Sequence, residues 1–377
     1  MANASSRTLH ADGTPDHLSI RRAPAQFGVE IREDRLHMDG VSLETIAAQV
    51  GTPAYIYSAS HIEARYRALD EALAGRSHLL CYAVKANSSQ AVLRLLARLG
   101  AGADIVSGGE LARALAAGIP GSRIVFSGVG KTDAEIDAAL TTPIKAIHIE
   151  SADELTRVEA RAFALGVCAP IGLRVNPDIN PDTHPYLATG LRDSKFGITM
   201  GEAAELAART AKSSCLELEA ITCHIGSQIM DARPFLASFD RLRGLLGELE
   251  KQGIRPPTLD LGGGLGIAYS GDEQPVDVAE FGRQVVAATE GLGMELVLEP
   301  GRFLVGNAGV LLTRVLGRKR GETRSFVIVD AAMNDLLRPA LYAARHPIVA
   351  VDLPPVDAPL ERVDVVGPVC ECGDFLA

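Results

Sequence analysis

Eight short apolar segments alternate along this chain with amphipathic stretches of helical periodicity, and this alternation restricts the fold more than any other feature. Each apolar segment is almost continuously hydrophobic, as a strand is when both faces of its sheet are covered. Eight β/α units within about 220 residues predict a closed parallel (β/α)8 barrel, a TIM barrel. A doubly wound open sheet is the alternative, since periodicity does not show closure. The segments are 79–87, 102–107, 123–128, 146–151, 171–177, 218–227, 258–264 and 295–302.

Apolar runs without long helices between them lie on both sides of the predicted barrel. Residues 28–40 alternate apolar and polar side chains like a half-exposed pair of strands, and a short helix ended by Gly51 follows. After Arg302 further β runs continue without long helices. The chain is therefore predicted to be an α/β protein whose barrel is joined by a second, all-β domain formed by the N- and C-terminal segments. The predicted divisions are a flexible tail 1–27, a segment 28–50 joining the β domain, the barrel 51–310, and the C-terminal β domain 311–377.

Composition narrows the class of partner. The 377 residues are 47% hydrophobic and carry 37 Lys and Arg against 47 Asp and Glu, a net charge of −10, which argues against binding nucleic acid or an anionic membrane. The polar N-terminus and the lack of a long apolar run predict a cytoplasmic protein. Six scattered cysteines are expected to be free thiols. Cys370 and Cys372 lie two residues apart, but no second ligand pair follows them, so no metal site is expected.

A lysine stands at the end of the first apolar segment. Barrel enzymes carry their chemistry at the carboxyl ends of the strands, and Lys85 lies at that point in the run that ends Ala-Val-Lys-Ala-Asn. A structural lysine more often lies on a helix surface. A desolvated lysine here is expected to have a depressed pKa and to be nucleophilic. By itself the position is equally compatible with a structural and a functional role.

Glycine-rich turns follow the later strands. His224 after strand six could be a core histidine, but Gly226 and Ser227 begin a loop suited to bring backbone close to a ligand. Gly262–Gly264 and Gly301 follow strands seven and eight, where barrels bind phosphate through backbone N–H groups. A phosphate site and a strand-end lysine in one barrel predict pyridoxal 5'-phosphate as the cofactor.

Two acidic positions fit this cofactor. Glu299 directly extends the eighth strand, and a carboxylate beside the pyridine nitrogen would raise that nitrogen's pKa and strengthen the ring as an electron sink. The alternative for Glu299 is a surface position. Near the C-terminus, Cys370 and Glu371 could form a solvated turn, or could deliver a proton and pair with a substrate ammonium. The sequence leaves open whether this loop reaches its own barrel or that of another subunit.

At this point the motifs resemble those of the diaminopimelate decarboxylases, from about Gly28 to Ala377. The lysine motif YAVKAN and the triplet in DLGGGLGIAY are shared with ornithine and arginine decarboxylases of the same fold, whereas HPYLATG and MNDLLRPALY are similar to the diaminopimelate branch. The resemblance implies a homodimer with shared active sites and pyridoxal 5'-phosphate bound covalently to Lys85. It also implies a ring stacked by His224, a ring nitrogen facing Glu299, and a phosphate surrounded by Ser227, Gly263, Gly264, Gly301 and Arg302.

The resemblance further implies the reaction. Arg302, Arg338, Tyr342 and Glu371 would bind the far end of meso-2,6-diaminopimelate, and Cys370 of the partner subunit would donate the proton that completes L-lysine after CO2 leaves. A guanidinium and a carboxylate match the distal carboxylate and ammonium of this substrate. The alternatives are a related decarboxylase of ornithine, arginine or carboxynorspermidine, a racemase sharing the barrel, and a non-catalytic barrel relative.

Two departures from the family pattern stand out. Cys372 occupies the position where the motif Cys-Glu-Ser-Gly-Asp has serine, and a small effect is expected because Cys370 and Glu371 are present. Members of the family also continue through further β strands and a tyrosine that contacts the cofactor phosphate. We therefore expect the C-terminal β domain to be truncated at Ala377 or completed in another way.

Overall fold

The computed structural model describes residues 16–179 and 195–377, and the described chain divides into two compact units. The first, here called the β unit, comprises the chain up to residue 61 together with 268–275 and 307–377. The second, the barrel unit, comprises 62–267 and 276–306. Relative to the predicted boundaries at residues 50 and 310, three short segments group with the β unit. These segments are 51–61, 268–275 and 307–310.

The β unit begins with a helix that the sequence did not predict. Helix α1 (Asp16–Arg22) is followed by a 3-10 turn (Pro24–Phe27), so this part of the expected flexible tail is ordered; residues 1–15 lie outside the described residues. Ile20 is buried in a hydrophobic cluster with Val29 and Leu36. The other three buried residues of α1, Asp16, His17 and Ser19, are polar, and Asp16 bonds to Ile348 far along the chain, so no local apolar periodicity indicates the helix.

Strands from both ends of the chain then build the β unit. β1 (Glu30–Arg32), β2 (Arg35–Met38) and β3 (Val41–Ser42) form an antiparallel sheet, followed by helix α2 (Leu43–Val50) and strand β4 (Ala54–Tyr57). The short helix ended by Gly51 is thereby confirmed.

The barrel unit contains eight parallel strands in sequential order. The last of them pairs with the first, with Leu296 opposite His78, and closes the sheet, which confirms the predicted (β/α)8 barrel and excludes the open-sheet alternative. Most of the strands end a few residues before the apolar segments do. The strands are β5 (His78–Ala83), β6 (Gly102–Ile105), β7 (Ile124–Phe126), β8 (Ala146–Ile149), β9 (Ala169–Arg174), β10 (Leu216–Thr222), β11 (Thr258–Asp260) and β12 (Glu295–Leu298).

Helices connect these strands. Their apolar faces cover the barrel, and polar side chains cap the N-termini of several of them. Thr132 and Thr199 each form a capping box with a glutamate three residues later. None of the described helices is long and apolar enough to cross a membrane. The helices are α3 (Ala59–Ala72), α4 (Gln90–Arg98), α5 (Gly108–Ala116), α6 (Asp133–Thr141), α7 (Ala152–Leu165), α8 (Met200–Lys212), α9 (Arg233–Lys251), α10 (Val278–Ala288) and α11 (Arg302–Val305).

The C-terminal segment returns to the β unit. Strand β13 (Gly309–Leu312) pairs antiparallel with β4, so this two-stranded sheet joins a strand from before the barrel to one from after it, although β4 lies within the range 51–310 that was predicted for the barrel. β14 (Val315–Arg320) pairs antiparallel with β15 (Ser325–Val329), which pairs in parallel with β16 (Asp364–Val366). Helix α12 (Arg338–Tyr342) lies between the last two strands in the chain.

Candidate active site

Lys85 lies on a turn at the carboxyl end of the first barrel strand. β5 ends at Ala83, two residues earlier than the apolar run suggested, and Val84–Ala86 form a 3-10 turn that carries the lysine. The Nζ atom of Lys85 donates a hydrogen bond to Oδ2 of Asp104 at 2.6 Å. Asp104 lies on β6 and is fully buried, whereas the Lys85 side chain is 52% exposed. The lysine therefore stands at a rim, with its ammonium held by a buried carboxylate.

The expectation of a depressed lysine pKa is wrong for this geometry. Burial by itself lowers the pKa of Lys85, but the charge of Asp104 and its hydrogen bond outweigh burial, and the pKa is raised above its ordinary value. The pKa of Asp104 is lowered, because the same pairing offsets the burial of its carboxyl group. The lysine is thus held as an ammonium until a reacting group displaces it from Asp104.

Replacing Asp104 by asparagine is expected to lower the pKa of Lys85, because the amide keeps the shape but removes the charge that stabilises the ammonium. The pH dependence of the reaction of Lys85 with an amine-directed acylating reagent, followed by peptide mass spectrometry, measures this. Asp137→Asn, at a half-buried position of α6 where the carboxylate pairs with Arg161, serves as the matched control. An unchanged Lys85 profile in Asp104→Asn would contradict the account of the pair.

Three buried titratable side chains converge beside this pair. Glu299 directly follows β12, Asp260 ends β11 and His148 lies in β8, and the three are at most 7% exposed. His148 Nε2 lies 3.8 Å from Asp260 Oδ2, and His148 Nδ1 lies 3.7 Å from Glu299 Oε1. Within the described residues, His148 Nε2, Asp260 Oδ2 and Glu299 Oε1 have no hydrogen-bond partner. A buried group of this kind is ready to accept a polar ligand.

The acids of this cluster are poised to hold protons. Burial raises the pKa of Asp260 to about 7, and burial together with the charge of Asp104 raises the pKa of Glu299 well above its usual range. Burial also lowers the pKa of His148 to about 3, so the imidazole is neutral. A cationic ring nitrogen placed near Glu299 would supply the positive counter-charge that stabilises the ionised form of this buried carboxyl group.

Glycines permit close backbone approach at the ends of strands six to eight. A Cβ at Gly263 would lie 2.3 Å from the Glu299 carbonyl oxygen, and one at Gly264 would lie 2.4 Å from that of Gly226. A Cβ at Gly301 would lie 3.1 Å from the Ala83 Cβ, so the turn after β12 packs against the Lys85 turn. Side chains at Gly263 and Gly264 would collide with backbone, hence the glycine requirement at these two positions.

His224 and Ser227 lie in the loop after β10. The Gly263 N–H donates to His224 Nδ1 at 3.2 Å, which assigns the ring proton of the neutral imidazole to Nε2. Burial, followed by the charges of Arg174 and Lys85, lowers the pKa of His224 to about 3. An uncharged histidine is suited to stack on an aromatic ring.

Arg302 begins α11 beside the same loop. Its Nη1 donates to Oε1 of Gln228 at 3.2 Å, and Gln228 Nε2 in turn donates to the Ile267 carbonyl oxygen at 2.5 Å. The hydrogen bonds tie the guanidinium to the loop that carries Ser227. The barrel residues predicted for the cofactor thus all lie just beyond the carboxyl ends of strands β5, β10, β11 and β12.

These residues fit pyridoxal 5'-phosphate. The group requires an amine for its aldehyde, a carboxyl group for its ring nitrogen and space beside backbone for its phosphate. Lys85 supplies the first and Glu299, with an unpartnered buried oxygen, supplies the second. The glycine turns after β11 and β12 supply backbone for the third, packed closely against neighbouring residues that leave little or no room for a Cβ.

The remaining predicted site residues belong to the β unit. Arg338 and Tyr342 lie on α12, with the Arg338 guanidinium carbon 5.6 Å from the Tyr342 ring centroid. Cys370 and Glu371 are exposed in the turn after β16. The buried Asp374 orders that turn, since its carboxylate accepts from the backbone N–H groups of Met333 and Val369. The predicted motif HPYLATG, residues 184–190, lies outside the described residues.

Sequence reasoning missed the polar residues within the strands. Asp104, His148 and Asp260 were read as parts of apolar runs, although a lone polar residue in a strand buried on both faces is itself a signal. Arg174 at the end of β9 was also missed; its Nη1 donates to Glu150 Oε1 at 2.8 Å. The runs ADIVS, AIHIES and TLDLGGG display these signals in the sequence.

The chain is similar to known proteins over most of its length. The family described as "Pyridoxal-dependent decarboxylase, pyridoxal binding domain" matches residues 59–306. The diaminopimelate decarboxylase of Pseudomonas aeruginosa is 52% identical over 346 residues, covering 92% of this chain and 83% of that protein.

Solved structures give the same picture. Diaminopimelate decarboxylase from Helicobacter pylori complexed with L-lysine is 41% identical, with a TM-score of 0.83 over 89% of this chain and 83% of that one. The diaminopimelate decarboxylase from M. jannaschii is 35% identical, with a TM-score of 0.87 over 94% of this chain and 84% of that one.

Proposed function

This chain belongs to the pyridoxal-dependent decarboxylases and, within them, to the diaminopimelate decarboxylases, and we propose that it converts meso-2,6-diaminopimelate to L-lysine and CO2 through the residues described below. It is a carboxy-lyase of lysine biosynthesis. The observation that carries the proposal is the Lys85 turn, which ends the first barrel strand in the same barrel as the buried Glu299 and the glycine turns.

Each barrel residue has a role toward pyridoxal 5'-phosphate. When bound, this cofactor withdraws the electron pair left on a substrate carbon as CO2 departs. Lys85 holds it covalently between turnovers, and Glu299 keeps a proton on its ring nitrogen. His224 stacks on the ring, while Ser227, Gly263, Gly264, Gly301 and Arg302 surround its phosphate.

Asp104 binds the Lys85 ammonium after the substrate displaces Lys85 from the cofactor. The hydrogen bond of 2.6 Å between Lys85 Nζ and Asp104 Oδ2 is the contact that we expect when the lysine amine is not bonded to the cofactor. A lysine held there remains next to the reacting centre and carries a proton. It can return to the cofactor after the product forms, once its proton has passed to the departing product amine and left the lysine amine neutral.

Recognition of the far end of the substrate falls to charged residues of the β unit. The residues assigned to substrate binding are Arg302, Arg338, Tyr342 and Glu371; a guanidinium matches the distal carboxylate, and Glu371 matches the distal ammonium. Cys370 donates the proton that replaces the departed carboxylate. An amino acid without the distal carboxylate would leave Arg338 without a counter-ion.

We further propose that two chains form a homodimer in the cytoplasm, with Cys370 and Glu371 supplied by the partner subunit. Large hydrophobic side chains exposed in the β unit support association. The six free cysteines suit a reducing compartment. The exposed hydrophobic residues of the β unit include Val315, Leu316, Leu337, Leu341 and Val369.

Turnover of three amino acids tests the assignment. With the cofactor-loaded protein, meso-diaminopimelate is expected to give a kcat/KM at least about 10³-fold above those of L-ornithine and L-arginine, because only it pairs with both Arg338 and Glu371. Release of CO2 and formation of L-lysine are measured together. Equal or faster decarboxylation of L-ornithine or L-arginine contradicts the proposal in favour of a related decarboxylase.

A further inference from the structure

An aromatic cluster surrounds the arginine to which the proposed function assigns the distal carboxylate. The guanidinium carbon of Arg338 lies 5.7 Å from the Tyr269 ring centroid and 5.6 Å from that of Tyr342, both within the range of cation–π attraction. Tyr269 also meets His346 edge to face, with ring centroids 6.2 Å apart. Tyr269 ends the motif DLGGGLGIAY, but the sequence assigned no role to it or to His346.

The described side chains that form this cluster around Arg338 are uncharged. Burial, followed by the charge of Arg338, lowers the pKa of His346 to about 4, so this imidazole is neutral at neutral pH. Among the described residues, Arg338 Nε and His346 Nε2 are buried without a hydrogen-bond partner. Within this cluster the guanidinium contacts ring faces, and its Nε, unpartnered among the described residues, is available to an anion.

Helix α1 anchors the loop that carries Tyr269. The Gly271 N–H donates to Ser19 Oγ at 2.9 Å, and Gln26 Nε2 donates to the Ser270 carbonyl oxygen at 3.1 Å. Arg22 forms an ion pair with Asp272. A Cβ at Gly271 would lie 2.4 Å from the Ser19 carbonyl oxygen, so loop and helix are in close contact.

The same helix anchors the segment that carries His346. Asp16, 6% exposed, pairs with Arg345 and accepts a hydrogen bond from the Ile348 N–H at 2.8 Å. The N-terminal helix thus holds residues on both sides of His346. Residues 16–22, predicted from the sequence to belong to a flexible tail, therefore anchor the segments that carry Tyr269 and His346.

We infer that Tyr269 is a specificity-positioning residue: braced by helix α1, its ring helps to fix the Arg338 guanidinium in position to receive the carboxylate at the far end of the substrate. The inference rests on the proposed role of Arg338. It adds to that role a residue that need not touch the substrate, and it predicts an effect confined to ligands that carry a distal carboxylate.

Two ligands separate this effect from general damage to the site. The product L-lysine has lost the carboxylate at the reacting carbon and keeps the one at the far end, whereas 1,5-diaminopentane has the same chain length and both amines but no carboxylate. Dissociation constants for both are measured on cofactor-loaded protein by calorimetry, alongside KM and kcat for meso-diaminopimelate.

Tyr269→Leu is expected to weaken L-lysine binding about tenfold and to raise the KM for meso-diaminopimelate by a similar factor, with kcat changed less than about twofold. Binding of 1,5-diaminopentane should stay within about twofold of wild type. Tyr269→Phe, which restores the ring, should recover most of the lost L-lysine affinity. Equal weakening of both ligands, or no change in either, overturns the inference.

Ser19→Ala keeps the test decisive if Tyr269→Leu fails to fold. Loss of the hydroxyl that accepts from Gly271 should weaken L-lysine about threefold and leave 1,5-diaminopentane unchanged. The absence of that selective loss counts against the anchoring by α1. Failure of the proposed function is recognised separately, because wild-type protein would then bind L-lysine no more tightly than 1,5-diaminopentane or would not turn over meso-diaminopimelate.

Discussion

Replacing Lys85 by alanine is expected to reduce kcat for meso-diaminopimelate by at least about 10³-fold, because the covalent anchor for the cofactor is lost. The purified variant should also lack the visible absorbance of the lysine-linked cofactor. Both are measured on protein saturated with pyridoxal 5'-phosphate, so that weaker binding is not mistaken for lost chemistry.

Two matched variants separate the chemistry from electrostatics. Lys85→Arg keeps a cation beside the buried Asp104 but has no primary amine, and it should lose activity as completely as Lys85→Ala does. Lys251→Ala, at the exposed end of α9, should retain activity. An active Lys85→Arg protein would show that the lysine acts as a charge and not as the covalent anchor.

Replacing Glu299 by glutamine is expected to reduce kcat by about 10²–10³-fold with little change in KM, since the amide cannot stabilise the proton on the ring nitrogen. Steady-state kinetics measure this effect. Glu295→Gln is the matched control, because Glu295 begins the same strand and pairs with Lys145 at 2.8 Å instead of joining the buried cluster.

The pH dependence of stability provides a second measurement for Glu299 that needs no cofactor. Its pKa is raised in the folded protein, so between the ordinary glutamate pKa and the raised value the folded state binds more protons than the unfolded state does. This group therefore contributes stability at low pH that is lost as the pH rises through that window. Cofactor-free Glu299→Gln should lose less melting temperature than wild type between pH 5 and pH 8. An equal loss in both proteins would contradict the assignment of a raised pKa to Glu299.

The sequence revealed the barrel because its eight strands are covered on both faces and its helices on one, which produces two different periodicities. It revealed Lys85 and Glu299 because they interrupt the apolar pattern where a strand ends. Asp104 and Asp260 lie within strands β6 and β11 themselves. The runs around them are mostly hydrophobic, so a single aspartate did not stand out. Their partnership with Lys85 and Glu299 depends on neighbouring strands of the closed sheet.

The raised pKa of Lys85 could not be read from its position alone. Burial and pairing shift a lysine pKa in opposite directions, and the outcome depends on a distance of 2.6 Å to a carboxylate nineteen residues away. Helix α1 was missed for a similar reason. Its anchors, such as Asp16 with Ile348, join residues more than three hundred positions apart.

The central claim is that Lys85 binds the cofactor covalently, and borohydride reduction followed by peptide mass spectrometry tests it most directly. Protein loaded with pyridoxal 5'-phosphate is reduced, digested and mapped, which makes the amine link permanent at whichever lysine carries it. The account predicts a pyridoxyl phosphate adduct on the peptide that contains Lys85 and its loss after incubation with L-lysine before reduction. An adduct confined to another lysine, or no adduct on the loaded protein, would contradict it.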